Sequence, residues 1–115
     1  MSAPRPGALL RIYIGEADRH AGRPLHQWLL AAAHEAGLAG ATVLRGLEGY
    51  GASRHLHHAS ILRLAEDLPL VVEIVDEEAR LRAFLPRLAG VVQGPITLER
   101  VELHGPTPPA PPAGA

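Results

Sequence analysis

The residues of this chain that can do chemistry crowd into one short stretch. Gly49-Tyr50-Gly51 is followed at once by Ser53, Arg54, His55, His57 and His58. Two glycines around an aromatic let backbone N–H groups come close to a ligand, because neither carries a Cβ, and the Tyr50 ring offers a face for contact. Arg54 is the nearest cation and suits a phosphate. His55 and His57 fall on one side of an extended segment, and imidazole suits Zn, Cu or Ni. Each feature has a plainer counterpart. The glycine pair can be a strand bend, and Arg54 can be a solvated loop arginine. Loop histidines without fixed supporting partners make a weak metal site. The expectation is therefore no metal, with His55, His57 and His58 as the weaker alternative.

Glu73 stands apart, as a carboxylate inside the apolar run LVVEIV. A buried carboxylate needs a partner. Arg11 or Arg45 on other strands can pair with it as a structural bridge, or it can serve a ligand. Asp18, Glu48 and Asp76 form no recognisable acid pair, and Asp76 reads as a helix cap. His20, His26, His34 and His104 are scattered and read as solvated. There is no Walker loop, no G-x-G-x-x-G and no nucleophile motif. Ser53 and Ser60 have histidines nearby in sequence, but that does not make a triad. No residue is assigned a catalytic role, and a protein that is not an enzyme is expected.

The composition narrows the classes further. The 115 residues carry a net charge of −1, which argues against bulk electrostatic binding to nucleic acid or to an anionic membrane. There is no cysteine, which excludes disulfides, thiolate nucleophiles and Cys-based zinc sites. No apolar run approaches the ~18 residues of a membrane span, and Leu9 to Ile14 is too short and too interrupted by Arg11 for a signal core. The expected location is cytoplasmic. Residues 1–7 and 105–115 are built from Pro, Gly, Ala and other residues that cannot bury enough surface to offset chain entropy, so both read as disordered ends around a domain at 8–104. Apolar content of 47% is high for so small a body, and the excess fits a subunit interface.

The elements that must hold these residues follow from periodicity and punctuation. Leu9 to Ile14 predicts a strand stopped by Gly15. Pro24 opens a helix with the stripe Leu25, Trp28, Leu29, Ala32 and Ala36, and Gly37 caps it. Ala41 to Tyr50 predicts a long, glycine-rich strand. Ala52 to Asp67 is a long connection whose second half, Ser60 to Ala65, can begin to pair. Leu70 to Val75 reads as a strand buried on both faces. Asp76 caps a second helix with the stripe Leu81, Phe84, Leu85 and Leu88, and Pro86 kinks or ends it. Ile96 to Leu103 is the last strand, and its shifted apolar phase predicts a bulge or twist between Leu98 and Val101. The order β-α-β-β-α-β gives an α+β, ferredoxin-like fold: a four-stranded antiparallel sheet with two helices on one face. The other face is apolar and needs a cover, for which another subunit is the simple candidate.

The blocks LLRIYIGEADR (Leu9 to Arg19), GLAGATVLRGLEGYGAS (Gly37 to Ser53) and EDLPLVVEIVD (Glu66 to Asp76) resemble the PII-like proteins, and most closely domain-of-unknown-function family 190. The resemblance spans nearly all of the folded region. It implies a homotrimer with sheets facing the threefold axis, ligand clefts between subunits, and a partner loop at Ala52 to Ser60 that includes Arg54, His55, His57 and His58. The more distant nitrogen-regulatory PII proteins match at Gly40-Ala41-Thr42-Val43, Gly49-Tyr50-Gly51 and Glu73-Ile74-Val75. There these positions line an adenine-nucleotide cleft. By that likeness Thr42, Gly49, Tyr50, Gly51, Ser53, Arg54, Glu73, Gly90 and Gly94 are the ligand-binding candidates. The departures are specific. Ala52-Ser53-Arg54 replaces a Gln-Lys pair. Gly90-Val91-Val92-Gln93-Gly94-Pro95 lacks the lysine of the phosphate loop, and only Arg100 remains of the paired arginines in the last strand. The resemblance thus implies AMP or ADP rather than ATP, and no firm cofactor beyond an adenine nucleotide. It implies a transporter, channel or metabolic enzyme as protein partner. The copper-tolerance proteins share the trimeric fold and supply the metal-binding alternative through the loop histidines.

Gly51→Val should weaken nucleotide binding by about tenfold, roughly 1.4 kcal/mol, by crowding backbone approach to the ligand. Titration calorimetry checks this, with Ala52→Val as the milder control.

Overall fold

The computed structural model of the chain describes residues 3–50, 57–58 and 67–105. Its sheet is built from β1 (Arg5–Gly15), β4 (Ala41–Arg45), β7 (Pro69–Asp76) and β8 (Ile96–Leu103), in the order β4-β7-β1-β8 with every pair antiparallel. Short hairpin strands β2 (Arg19–His20) and β3 (Arg23–Pro24) precede helix α1 (Leu25–Glu35). A separate two-stranded ladder joins β5 (Glu48–Gly49) to β6 (His57–His58). Helix α2 (Glu78–Phe84) runs into a 3-10 turn at Leu85–Leu88. This is the expected ferredoxin-like arrangement.

Alternation along the strands decides what each face does. Ala8, Leu10, Ile12 and Ile14 of β1 and Leu70, Val72 and Ile74 of β7 are buried. They form one core with Leu25, Leu29, Ala32 and Ala33 of α1 and Leu81, Phe84 and Leu88 of the second helical segment. The opposite parity points away from the helices. There Tyr13, Leu44 and Val75 are 36%, 46% and 42% exposed. The expected burial of Leu70 to Val75 on both faces therefore holds on one face only within a single chain.

Local chemistry explains the helix ends. Gly37 has φ 75°, Gly37 N–H donates to His34 O, and Leu38 N–H donates to Ala33 O. That is a Schellman cap, and the left-handed position favours glycine. Pro24 lies one residue before the helix, at its N-cap and at the end of β3, rather than in its first turn. Pro86 sits in the 3-10 turn that ends α2, as its missing N–H requires.

Asp76 is not the helix cap. It closes β7, and the N-cap is Glu77. Its side chain is buried, and it accepts hydrogen bonds from Ala39 N–H at 2.9 Å and Glu77 N–H at 2.7 Å. Arg80 pairs with it at 3.2 Å and donates a further bond to Gly37 O. One carboxylate thus pins the loop after α1, the end of β7 and the start of α2.

Two boundaries and one predicted bulge differ from the sequence expectation. β1 begins at Arg5, so Arg5 to Gly7 belong to the sheet, paired with Val101 to Leu103. A ladder is made by main chain and does not need apolar side chains. Pro6 is tolerated because β7 ends opposite Ala8, which leaves β1 an edge on that side. The second strand stops at Arg45 rather than Tyr50. Gly46 N–H donates to Pro69 O at 2.7 Å, and Pro69, with no N–H, ends the β4–β7 ladder there. The chain resumes as β5 in the other ladder. The last strand has no bulge: its register runs unbroken from Ile12↔Ile96 to Arg5↔Leu103. The phase shift is a change of face. Ile96 and Leu98 pack on the core, whereas Val101 and Leu103 lie on the open side, where Leu103 covers Gly7 so closely that a Cβ there would sit 2.4 Å from its Cγ. The expected pairing of Ser60 to Ala65 and the tail beyond Gly105 lie outside the described residues.

Asp76→Ala should cost about 3 kcal/mol of stability, since it removes the acceptor of two backbone donors and one of the partners of the part-buried Arg80. Chemical denaturation of the purified variant checks the value. Ala21, in a hairpin tip at φ 52° before Gly22 at φ 81°, gives the opposite sign. Ala21→Asn should stabilise by about 0.5 kcal/mol, because the two-residue turn favours Asn-Gly.

Candidate functional site

One end of the sheet carries a cleft of about 210 Å³. Its walls come from the end of β1 (Tyr13 to Gly15), from Asp18, from Asp67 and the start of β7 (Pro69 to Val71), from Gly49-Tyr50, and from Gln93-Gly94-Pro95. The chain has two tyrosines, and both line this cleft.

Backbone packing fixes the walls. Tyr13 N–H donates to Pro95 O at 3.1 Å, which ties the segment after α2 to the end of β1. A Cβ on Gly94 would stand 2.3 Å from the Tyr13 carbonyl oxygen, so glycine is required by the close approach. On the other wall Gly49 has φ 155°, and a Cβ there would be 3.2 Å from the Pro69 ring. A Cβ on Gly46 would be 2.9 Å from the same ring. The chain thus bends around Pro69, and the bend carries Gly49 and Tyr50 to the cleft.

The floor is acidic and rigid. Gly15 N–H donates to Asp18 Oδ2 at 2.9 Å, and Ala17 N–H donates to Asp67 Oδ1 at 2.9 Å. The Asp18 backbone is also held, with its N–H on Gly15 O at 3.1 Å and its carbonyl accepting from Leu25 N–H at 2.7 Å. Glu16 N–H bonds Leu68 O at 2.8 Å, which closes the turn onto the strand that follows.

Of the residues singled out from sequence, Gly49, Tyr50 and Gly94 meet at this cleft. Thr42 and Glu73 are register partners on the open face, away from it. Glu73 accepts from Arg11 Nε at 3.0 Å, and Arg11 also reaches Glu99 at 2.7 Å. The bridge to Arg11 is therefore the one formed; Arg45 pairs instead with Glu16. The hydrogen bond that Arg11 donates to Glu73, then the one it donates to Glu99, raises the Arg11 pKa above its ordinary value. Gly90 serves a left-handed turn at φ 75° and is not in the cleft wall. Gly51, Ser53, Arg54 and His55 lie outside the described residues. His57 and His58 form β6, with His57 opposite the cleft residue Gly49, so part of the expected loop is strand. Among the described residues no three His, Asp or Glu side chains gather around a metal position.

Sequence reasoning missed Tyr13, Asp18, Asp67, Gln93 and Pro95. Tyr13 was legible by parity, since it alternates with the core residues Ile12 and Ile14. Asp18 was legible as an Asx-type acceptor three residues after the strand-ending Gly15. Nothing local marked Asp67 or Gln93.

This sheet, with helices on one face and a cleft at the strand ends, is the PII-like fold. The chain superposes on CPII, a nitrogen regulatory PII-like protein from Thiomonas intermedia K12, with a TM-score of 0.65 at 14% identity, over 90% of this chain and 100% of that one. That structure is bound to ADP, AMP and bicarbonate. In sequence, residues 7–103 match the model of the DUF190 family, "Uncharacterized ACR, COG1993". A UPF0166 protein of Aquifex aeolicus is 43% identical over 95 residues, 83% of this chain and 90% of that protein. One from Methanocaldococcus jannaschii is 34% identical over 85 residues, 74% of this chain and 78% of that protein. The chain belongs to the DUF190 family.

Gly94→Val should push the 93–95 segment off β1, because a backbone carbonyl cannot yield as a side chain can. A loss of about 2 kcal/mol is expected in thermal or denaturant unfolding.

Proposed function

We propose that this protein is a non-enzymatic, homotrimeric PII-like regulator that binds an adenine nucleotide, AMP or ADP in preference to ATP, in a cleft completed at the subunit boundary. The observation that carries this reading is where the cleft opens. Tyr13 and Val71 belong both to its wall and to the open sheet face. A second subunit packed on that face would therefore form part of the same site. The open face has the composition such packing needs: Leu44 and Val75 stand exposed on it, on the side that no helix covers. A chain of the same fold holds ADP and AMP, which supports an adenine nucleotide as the ligand class.

Backbone groups at Gly49 and Gly94 and the two tyrosine rings suit a planar base and its ribose. Cations for phosphate would come from Arg54 or from the neighbouring subunit. Occupancy would act on the Ala52 to Ser60 segment, which is rooted in the cleft wall through the pairing of β6 with Gly49. That segment would carry the signal to a protein partner, a transporter, channel or metabolic enzyme, by ordering or releasing a contact. Among the described residues no helix is long and apolar enough to cross a membrane.

Sedimentation should give a trimer at micromolar concentration, and calorimetry should give AMP or ADP binding to it. Val75→Glu places a charge on the open face and should return a folded monomer that no longer binds nucleotide. A stable wild-type monomer, or a Val75→Glu monomer with full affinity, contradicts the shared site.

A further inference from the structure

We infer that Gln93 is the residue that reads the base: its side-chain amide recognises the N6/N7 edge of adenine and makes the cleft prefer adenine to purines with a carbonyl at position 6. The inference rests on the nucleotide reading of the same site and adds the group that decides which base fits.

A small-molecule cleft takes its specificity from a few polar groups held in fixed positions. Among the described residues lining this one, Gln93 supplies the only side-chain amide. An amide offers a donor and an acceptor side by side, whereas a tyrosine hydroxyl offers a single point of contact. Among the described residues the Gln93 amide has no hydrogen-bond partner, so both of its functions are open to a ligand.

The main chain around Gln93 is bracketed. Val92 N–H donates to Leu88 O at 3.2 Å on one side, and Tyr13 N–H donates to Pro95 O at 3.1 Å on the other. Gly94 precedes a proline, which narrows its backbone to extended conformations. It also lies against β1, where a Cβ would be 2.3 Å from Tyr13 O and 3.9 Å from Tyr13 Cβ. The root of Gln93 is thus fixed beside the root of Tyr13. A base stacked on the Tyr13 ring would bring its edge to the amide. Adenine places its N6 amine, a donor, next to N7, an acceptor, and an amide meets both at once. Guanine and hypoxanthine present two acceptors on that edge. The amide would then keep one bond and set its own carbonyl against the oxygen at position 6.

The test is a set of calorimetric titrations of the full-length, assembled protein with AMP, inosine monophosphate and 7-deaza-AMP. The second lacks the amine and the third lacks N7. Wild type should bind AMP about tenfold more tightly than either analogue. In Gln93→Leu the AMP affinity should fall about tenfold, to the level of the analogues, whose own affinities hold. Gln93→Glu keeps an acceptor for the amine and sets a second oxygen against N7. It should lose the preference for AMP over 7-deaza-AMP. A merely structural role would weaken all three ligands together. Equal losses for all three in Gln93→Leu, or an unchanged AMP affinity, overturn the inference and leave the nucleotide site standing. A wild type that binds all three equally well overturns it too. A wild type that binds none of them removes the nucleotide reading itself, and this inference with it.

Discussion

Asp76 joins three parts of the chain that are distant in sequence. Its carboxylate takes the N–H groups of Ala39 and Glu77 and the guanidinium of Arg80, while Arg80 reaches on to Gly37 O. In a domain with a thin core, a buried carboxylate is costly unless it is fully paired. Here the pairing fixes where α1 ends, where β4 begins and how α2 leaves the sheet. Both helices are thereby set onto the same face. Everything at the other end of β7, including Pro69 and the cleft, inherits its position from that anchoring.

The open face follows from where the helices lie: among the described residues, both pack on the other face. It is not simply apolar. Arg11 bridges Glu73 and Glu99 across three adjacent strands, in the middle of a field of Leu, Val and Tyr. At the surface of a single chain such pairs contribute little. Covered by a neighbour they would lie in a lower dielectric, where the geometry of a satisfied arginine matters more and a missing partner costs more. An apolar field with a paired charge at its centre would specify how two copies align as well as favour their association.

Much of the fold was legible in sequence because local signals agreed with one another. Gly37 read as a cap and forms one. Pro86 read as the end of a helix and sits in the turn that ends it. The parity of Leu10, Ile12 and Ile14 named the core face. The failures share a cause, namely contacts between segments far apart. The break after Arg45 depends on Pro69, more than twenty positions on in the chain. Arg5 to Gly7 look like a tail until β8 pairs with them. Asp76 reads as a cap from its neighbours alone, and becomes a tie only when Ala39 and Arg80 are seen. The site was half legible for the same reason. Gly49, Tyr50 and Gly94 announced themselves by backbone freedom or family likeness. Asp67 and Gln93 join them only because Ala17 and Tyr13 hold their segments in place.

The two ends of the folded chain lie side by side. Arg5 faces Leu103 in the ladder and donates to Gly105 O at 3.1 Å. They meet at the start of β1, whereas the cleft is at its finish, about 30 Å away at the usual rise of a strand. Topologically the fold is a nearly closed ring with its seam far from the cleft. A short linker could seal that seam and new termini could be opened in a surface turn such as Ala21-Gly22, giving a circular permutant. Cargo joined next to Arg5 or Gly105 would ride on the opposite pole of the molecule from the cleft.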